Sequence, residues 1–130
     1  MLSDSAGLNH VTSQIIAAAV RVHREFRPGL LESAYGACLT KEIQGTGLHF
    51  ESQVALPLFY HGVRLEVGYR IDLLVEDQVV VEVKAVEALA AIHRAQVLTY
   101  LRLKRCPVGL LLNFNVPLLK NGIVRVLNNP

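Results

Sequence analysis

Apolar residues recur at three- and four-residue spacing from Leu8 to Phe26, through Val11, Ile15, Ala19 and Val22. That spacing predicts an amphipathic helix with Arg21 and Arg24 on its polar face. Pro28-Gly29 breaks the pattern, and a second helical stripe runs through Leu31, Tyr35, Leu39 and Ile43 to Gly45 and Gly47. Beyond Gly47 the period falls from about 3.6 to 2. Leu48, Phe50, Val54, Leu56, Leu58 and Tyr60 predict a strand, and His61-Gly62 a turn. Leu65, Val67, Tyr69, Ile71, Leu73 and Val75 then predict a second strand with all of these side chains on one face. After the polar turn Glu76-Asp77-Gln78 comes a third strand, Val79 to Lys84, in which Glu82 and Lys84 share one surface. Helical spacing returns from Leu89 to Lys104, and Pro107 closes it. Val108 to Asn113 is a continuous apolar run, as in a strand buried on both faces. Gly122 to Leu127 could form a last edge strand after the loop containing Pro117. The expected order is α-α-β-β-β-α-β-β, with no internal repeat or linker.

Composition narrows the class. With 130 residues the length suits one domain spanning 1–130, and 52% hydrophobic against 18% charged residues excludes a disordered chain. Each apolar run is interrupted by charge short of the roughly 20 residues that a membrane span needs. The N-terminus has neither a basic nor an apolar leader segment, which points by default to a cytoplasmic protein. Cys38 and Cys106 form no C-x-x-C pair and are expected to be buried thiols. A net charge of +2 is too small for indiscriminate coating of nucleic acid, so any such contact must be local.

The chemistry-bearing feature is three charged residues, Asp72, Glu82 and Lys84, in otherwise apolar strands. Unpaired buried charge costs several kcal/mol, so these residues need water, one another or a metal ion. Antiparallel pairing across the short turn brings the two carboxylates towards each other. Converging carboxylates repel unless a cation lies between them, and hard oxygen donors suit Mg²⁺ or Mn²⁺. The adjacent lysine fits hydrolysis, orienting water or stabilising charge on a phosphorane-like transition state. From spacing alone, a solvated charged patch on a hairpin fits equally well.

The arrangement resembles the PD-(D/E)XK nuclease superfamily, whose αβββαβ core carries its acidic residues and lysine on the second and third strands. The matching residues are Ile71-Asp72 and Glu82-Val83-Lys84, with Ile71 where the superfamily name has proline. Gly29-Leu30-Leu31-Glu32-Ser33-Ala34-Tyr35 further resembles the signature of the small prokaryotic GxxExxY family. So do Asp72-Leu73-Leu74-Val75, Val81 to Ala85, Ala95 to Leu101 and Gly109 to Phe114 with its other blocks. Gln96 and Tyr100 match the Q-x-x-x-Y pattern of the RecB-like branch.

These resemblances imply an α/β, restriction-endonuclease-like αβββαβ core with an additional N-terminal helix and a C-terminal edge strand. They imply a Mg²⁺- or Mn²⁺-dependent nuclease acting on DNA ahead of RNA. Asp72, Glu82 and Glu32, with the Val83 carbonyl, would hold metal, and Lys84 would orient water. Gln96 and Tyr100, with Tyr35 and His93, would support the site or meet the substrate. Glu32 in a first helical turn also fits simple stabilisation of the helix dipole, and a Gln-Tyr pair also fits an ordinary helix surface. Tyr35, three residues on, would share the Glu32 face. Arg21, Arg24 and Arg27, and Arg94, Arg102, Lys104 and Arg105, could track phosphates or be solvated helix faces. His10, His23, His49 and His61 lack zinc-site spacing and carry no assignment. So small a chain has limited surface for gripping a duplex, which suggests a homodimer. A non-catalytic module that keeps the fold to bind nucleic acid or protein is the second expectation.

Overall fold

The structure is a computed structural model that describes residues 5–129, with side chains from residue 7 onward. Most of the stretch in which no leader was expected therefore lies outside the described side chains. Helix α1 (Ser5–Phe26) and helix α2 (Glu32–Gln44) are followed by strands β1 (Phe50–Tyr60), β2 (Val63–Val75) and β3 (Val79–Lys84). Helix α3 (Ala91–Lys104), strand β4 (Val108–Asn113), a short 3-10 turn at Leu119–Gly122 and strand β5 (Ile123–Leu127) complete the chain. No helix among the described residues is long and apolar enough to cross a membrane.

The sheet order is β1-β2-β3-β4-β5, with β3 and β4 parallel and every other neighbouring pair antiparallel. The parallel pair requires a crossover, and α3 supplies it. One sheet face packs against α1 and α2 through Leu73, Val75, Val79, Val81, Val83, Leu110 and Leu112. The other packs against α3 through Leu56, Ile71, Leu74, Val80 and Leu111. With both faces covered, β3 and β4 are buried almost throughout, as their continuous apolar runs require. Three helices on a five-stranded mixed sheet make an α/β fold of restriction-endonuclease-like form.

The structure departs from the expected alternation around Asp72, and the β1–β2 register shifts again between Leu56 and Leu58. Leu73 and Val75 face the α1/α2 core, whereas Ile71 faces α3. The partner strand does the same: Phe50, opposite Val75, packs towards α1/α2, while Val54, opposite Ile71, packs on the α3 side. Between them Gln53 has φ +54, a left-handed conformation that kinks β1 opposite Asp72. Strict period-two reading cannot see a kink of this kind. Beyond it, β1 and β2 continue as a two-stranded ribbon, because β3 pairs with β2 only from Leu73 to Val75.

Cys106 is buried and its thiol donates to the Asp77 carbonyl, but Cys38 on α2 is only half-buried. Cys38 sits at the margin of the helix pair rather than inside it, which corrects the expectation for that residue.

Candidate active site

Asp72 lies where β2 parts from β3, and the two carboxylates replace the missing ladder. The Asp72 backbone N–H donates to Glu82 Oε2 at 2.8 Å, and the Val83 N–H donates to Asp72 Oδ2 at 2.8 Å. Each acid thus satisfies a backbone donor that the diverging strands would otherwise leave unpaired. Glu82 is buried, at 4% exposure, and Asp72 is half-buried. Ile71, in the position of the proline, is fully buried against α3 and takes no part in this exchange.

Burial and the neighbouring Asp72 charge push the Glu82 carboxyl up to about 8, against hydrogen bonding by the Asp72 N–H and the pull of Lys84. Burial also raises Asp72, opposed by the Val83 N–H, the Lys84 ammonium and a hydrogen bond from Gln53. Lys84, half-buried at the end of β3, therefore sits in the field of both carboxylates. Two acids raised by burial, one of them also by the charge of the other, with the Lys84 ammonium beside them, form a site whose charge balance improves when a further cation enters.

Glu32 reaches the same place from α2. Its Oε1 accepts the Ala85 N–H at 3.2 Å, just past Lys84, and its charge raises both Asp72 and Glu82. An open cleft of about 500 Å³ is lined by Glu32, Ser33, Gly36, Gln53, Asp72 and Val83, among others. The glycine preceding α2 earns its place through its backbone: Gly29 has φ +131, which side-chain-bearing residues rarely adopt.

Tyr35 does not share the Glu32 face. It is fully buried, stacked on Phe114 with ring centroids 4.6 Å apart. Its hydroxyl donates to the Arg27 carbonyl and accepts the Leu30 N–H at 3.1 Å, tying the turn between α1 and α2. The residues of α2 lining the cleft with Glu32 are Ser33, Gly36, Ala37 and Thr40. At 100° per residue, Tyr35 has turned from that face into the core. Its expected place at the site is corrected to one in the helix packing.

Gln96 and Tyr100 lie on the α3 side and outside the Glu32 cleft. Gln96 Nε2 donates to the Tyr100 hydroxyl at 3.1 Å, and that hydroxyl is also hydrogen-bonded to the Arg70 backbone, two residues before Asp72. Burial and the Glu82 and Asp72 charges raise the Tyr100 hydroxyl, which places it electrically beside the acids. With Tyr69, Ile92, His93 and Thr99 the pair lines a separate recess of about 330 Å³. His93 Nδ1 accepts the Ala90 N–H at 2.9 Å, so this ring caps the start of α3. The basic residues Arg102 and Arg105 border a recess with Asp77 and Pro107, at the opposite end of β3 from Lys84.

Sequence reading missed two residues of this site. Gln53 hydrogen-bonds Asp72, and only the β1–β2 register, which sets it opposite Asp72, could have found it. Asn113 is buried at 2% exposure; it accepts the Val86 N–H at 3.1 Å and donates to the Val86 carbonyl at 3.0 Å. It holds the segment that follows Lys84, and its signal was a polar residue closing an apolar strand. A different cluster, His49, Glu51 and Asp77, brings ligand atoms within 4.8 Å of one another on the exposed surface near the β2–β3 turn. Asp77 is far in sequence from His49 and Glu51, so the absence of zinc-site spacing did not exclude it. Exposed groups of this kind can also exist without an ion.

No curated protein and no solved structure matches the chain. A family model does, over residues 9–126, and the strands bearing Asp72, Glu82 and Lys84 lie within that span. The chain belongs to the PD-(D/E)XK nuclease superfamily.

Proposed function

We propose that this chain is a Mg²⁺- or Mn²⁺-dependent nuclease of the GxxExxY type that hydrolyses phosphodiester bonds, with DNA as the substrate ahead of RNA. The observation that carries the proposal is the reciprocal Asp72–Glu82 pair with Lys84 in its field. Superfamily members are generally nucleases, and the donor set suits a hard divalent cation: oxygen ligands only, like-charged, and held in place by backbone donors. Asp72, Glu82 and the Val83 carbonyl would hold the ion, with Glu32 completing the acidic group. Bound there, the ion supplies Lewis-acid stabilisation of charge on the phosphate and acidifies a water molecule.

The remaining work falls to the chain itself. The backbone donors of Asp72 and Val83 fix the two carboxylates, so little reorganisation is needed when substrate arrives. Lys84 orients the attacking water and offsets the negative charge that grows on the phosphate oxygens as the P–O bond breaks. Gln96, held by Tyr100, meets the strand or supports the acids from the α3 side. His93, at the start of α3, borders the same recess as Gln96.

The test is cleavage of single-stranded, duplex, flapped and branched DNA and RNA with Mg²⁺ or Mn²⁺, using Asp72→Asn and Lys84→Ala as controls. Metal-dependent cleavage lost in both variants supports the proposal. Nucleic-acid binding without cleavage, unaffected by either ion, would instead identify a binding module that keeps the nuclease fold.

A further inference from the structure

The ribbon formed by β1 and β2 beyond the kink is unusual for its exposed apolar surface. All residues from 61 to 70 are exposed. The register sets Leu56 opposite Tyr69 and, beyond a bulge between Leu56 and Leu58, Leu58 opposite Leu65 and Tyr60 opposite Val63, so the two residues of each pair share a face. That face continues the α3-side core outward: Leu56 is buried in it, Tyr69 meets Tyr100 edge-on, and the rest runs past the end of the helix. Tyr60 is 63% exposed, Val63 57% and, on the adjoining first turn of α3, Ile92 70%. A two-stranded hairpin is only marginally stable alone in water, and an apolar patch of this size on a monomer calls for a partner.

We infer that this ribbon face is the interface of a symmetric homodimer, with a second copy of this chain as its occupant. Three observations select that occupant. First, the face carries no charge: Arg64 lies opposite Phe59 and Arg70 opposite Ala55, both on the other side of the ribbon, and Glu66 pairs with Arg64. A two-fold axis brings each group near its own copy, so an uncharged face meets itself without like-charge repulsion. A phosphate backbone would instead require cations here. Second, the free edge of β1 is spoiled for strand addition by Pro57 and by the kink at Gln53. The outer edge of β2, free beyond Leu73, is broken in turn by the left-handed Gly68 at φ +79, so the partner comes face to face, not edge to edge.

Third, the area is adequate. The exposed parts of Tyr60, Val63, Leu65, Tyr69 and Ile92 amount to something on the order of 550 Å² per chain. Two facing copies would bury about 1,100 Å², above the roughly 1,000 Å² that a specific interface should clear. A dimer built this way brings the partner over the rim of the Gln96–Tyr100 recess, which Tyr69 and Ile92 also line, and leaves the Glu32 cleft on the α1/α2 side of the sheet open. The inference does not depend on the proposed nuclease activity.

The test is sedimentation equilibrium of the full chain over a dilution series, with Leu65→Lys as the interface variant and Phe59→Lys as the control on the opposite face. Thermal melts establish that both variants are folded, which is expected because both side chains are exposed. The wild type and Phe59→Lys should be dimeric, and Leu65→Lys should dissociate at least roughly tenfold more readily. A wild type that is monomeric up to about 100 μM would overturn the inference, as would a dimer indifferent to Leu65→Lys. Flotation of the wild type with neutral phosphatidylcholine vesicles, abolished by Leu65→Lys in a protein that stays monomeric, would overturn it in favour of a lipid surface.

Discussion

Asp72 and Glu82 each accept a hydrogen bond from the other's strand, Glu82 from the Asp72 N–H and Asp72 from the Val83 N–H. The exchange occurs where the ladder between β2 and β3 ends, so each carboxylate is at once a structural tie and a group available for chemistry. Holding both acids in a partly desolvated corner raises both, and the same arrangement makes the fold sensitive to pH and to cations.

Glu82 should make stability fall as pH rises. In the unfolded chain it loses its proton near 4.5, whereas in the fold burial and Asp72 hold the proton until about 8. Between those values the native state binds a proton that the unfolded state does not, so the contribution is fully present below pH 4.5 and lost by about pH 8. Asp72 is shifted in the same direction and adds to the trend. Glu82→Gln keeps an acceptor for the Asp72 N–H but removes the titration. Urea denaturation at pH 5 and pH 8 should show a loss of stability in the wild type and a much smaller one in the variant.

Divalent ions should raise the melting temperature of the wild type, because a ligand that binds only the native state stabilises it by mass action. Asp72→Asn should abolish most of that rise. Without metal the variant should melt at the same temperature or higher, since asparagine can still accept the Val83 N–H while one of two like charges is gone. Metal must also displace the Glu82 proton, so the wild-type shift should grow between pH 6 and pH 8. Equal shifts in both proteins in millimolar Mg²⁺ or Mn²⁺ would place the ion elsewhere, with the exposed His49, Glu51 and Asp77 group as the first site to examine.

Much of this was legible before the structure, and the failures share a cause. Helices and strands follow from local periodicity, and Asp72, Glu82 and Lys84 stand out because charge is anomalous in apolar strands. The 3-10 turn at Leu119–Gly122 carries no periodicity and was not foreseen. The i, i+3 spacing sets Tyr35 on the Glu32 face, but the helix turns it into the core. Gln53 became visible only through register and a left-handed backbone, both of which depend on pairing between distant residues. The exposed ribbon face reads as ordinary alternation, because the sequence does not reveal that β3 stops short of it.

Tyr35→Phe should be a stability variant only. It keeps the ring stacked on Phe114 but leaves the Arg27 carbonyl and Leu30 N–H without the hydroxyl. Losing a partner from part-buried groups costs about 1–3 kcal/mol. Chemical denaturation should show a loss of that size, while the melting shift produced by Mg²⁺ or Mn²⁺ stays as in the wild type. A selective loss of the metal response would return Tyr35 to the site.

Gly122→Ala should damage the site from a distance. Gly122 is buried beside Asn113, and an added Cβ would fall on the Asn113 carbonyl oxygen and crowd Val116 Cγ2 at 3.0 Å. Backbone cannot yield as a flexible side chain does, so β4 must shift at Asn113, the residue that holds Val86 and thereby the segment after Lys84. Gly109→Ala is the comparison: its Cβ would meet Val97 Cγ1 at 2.6 Å in the α3-side core, with no contact to Asn113. Overpacking costs each variant about 1–3 kcal/mol. Melts with and without Mn²⁺ should show Gly109→Ala retaining the wild-type metal shift and Gly122→Ala losing a substantial part of it. If the two variants respond to metal alike, Asn113 does not position Lys84 and its neighbours, and its hydrogen bonds to Val86 serve the fold alone.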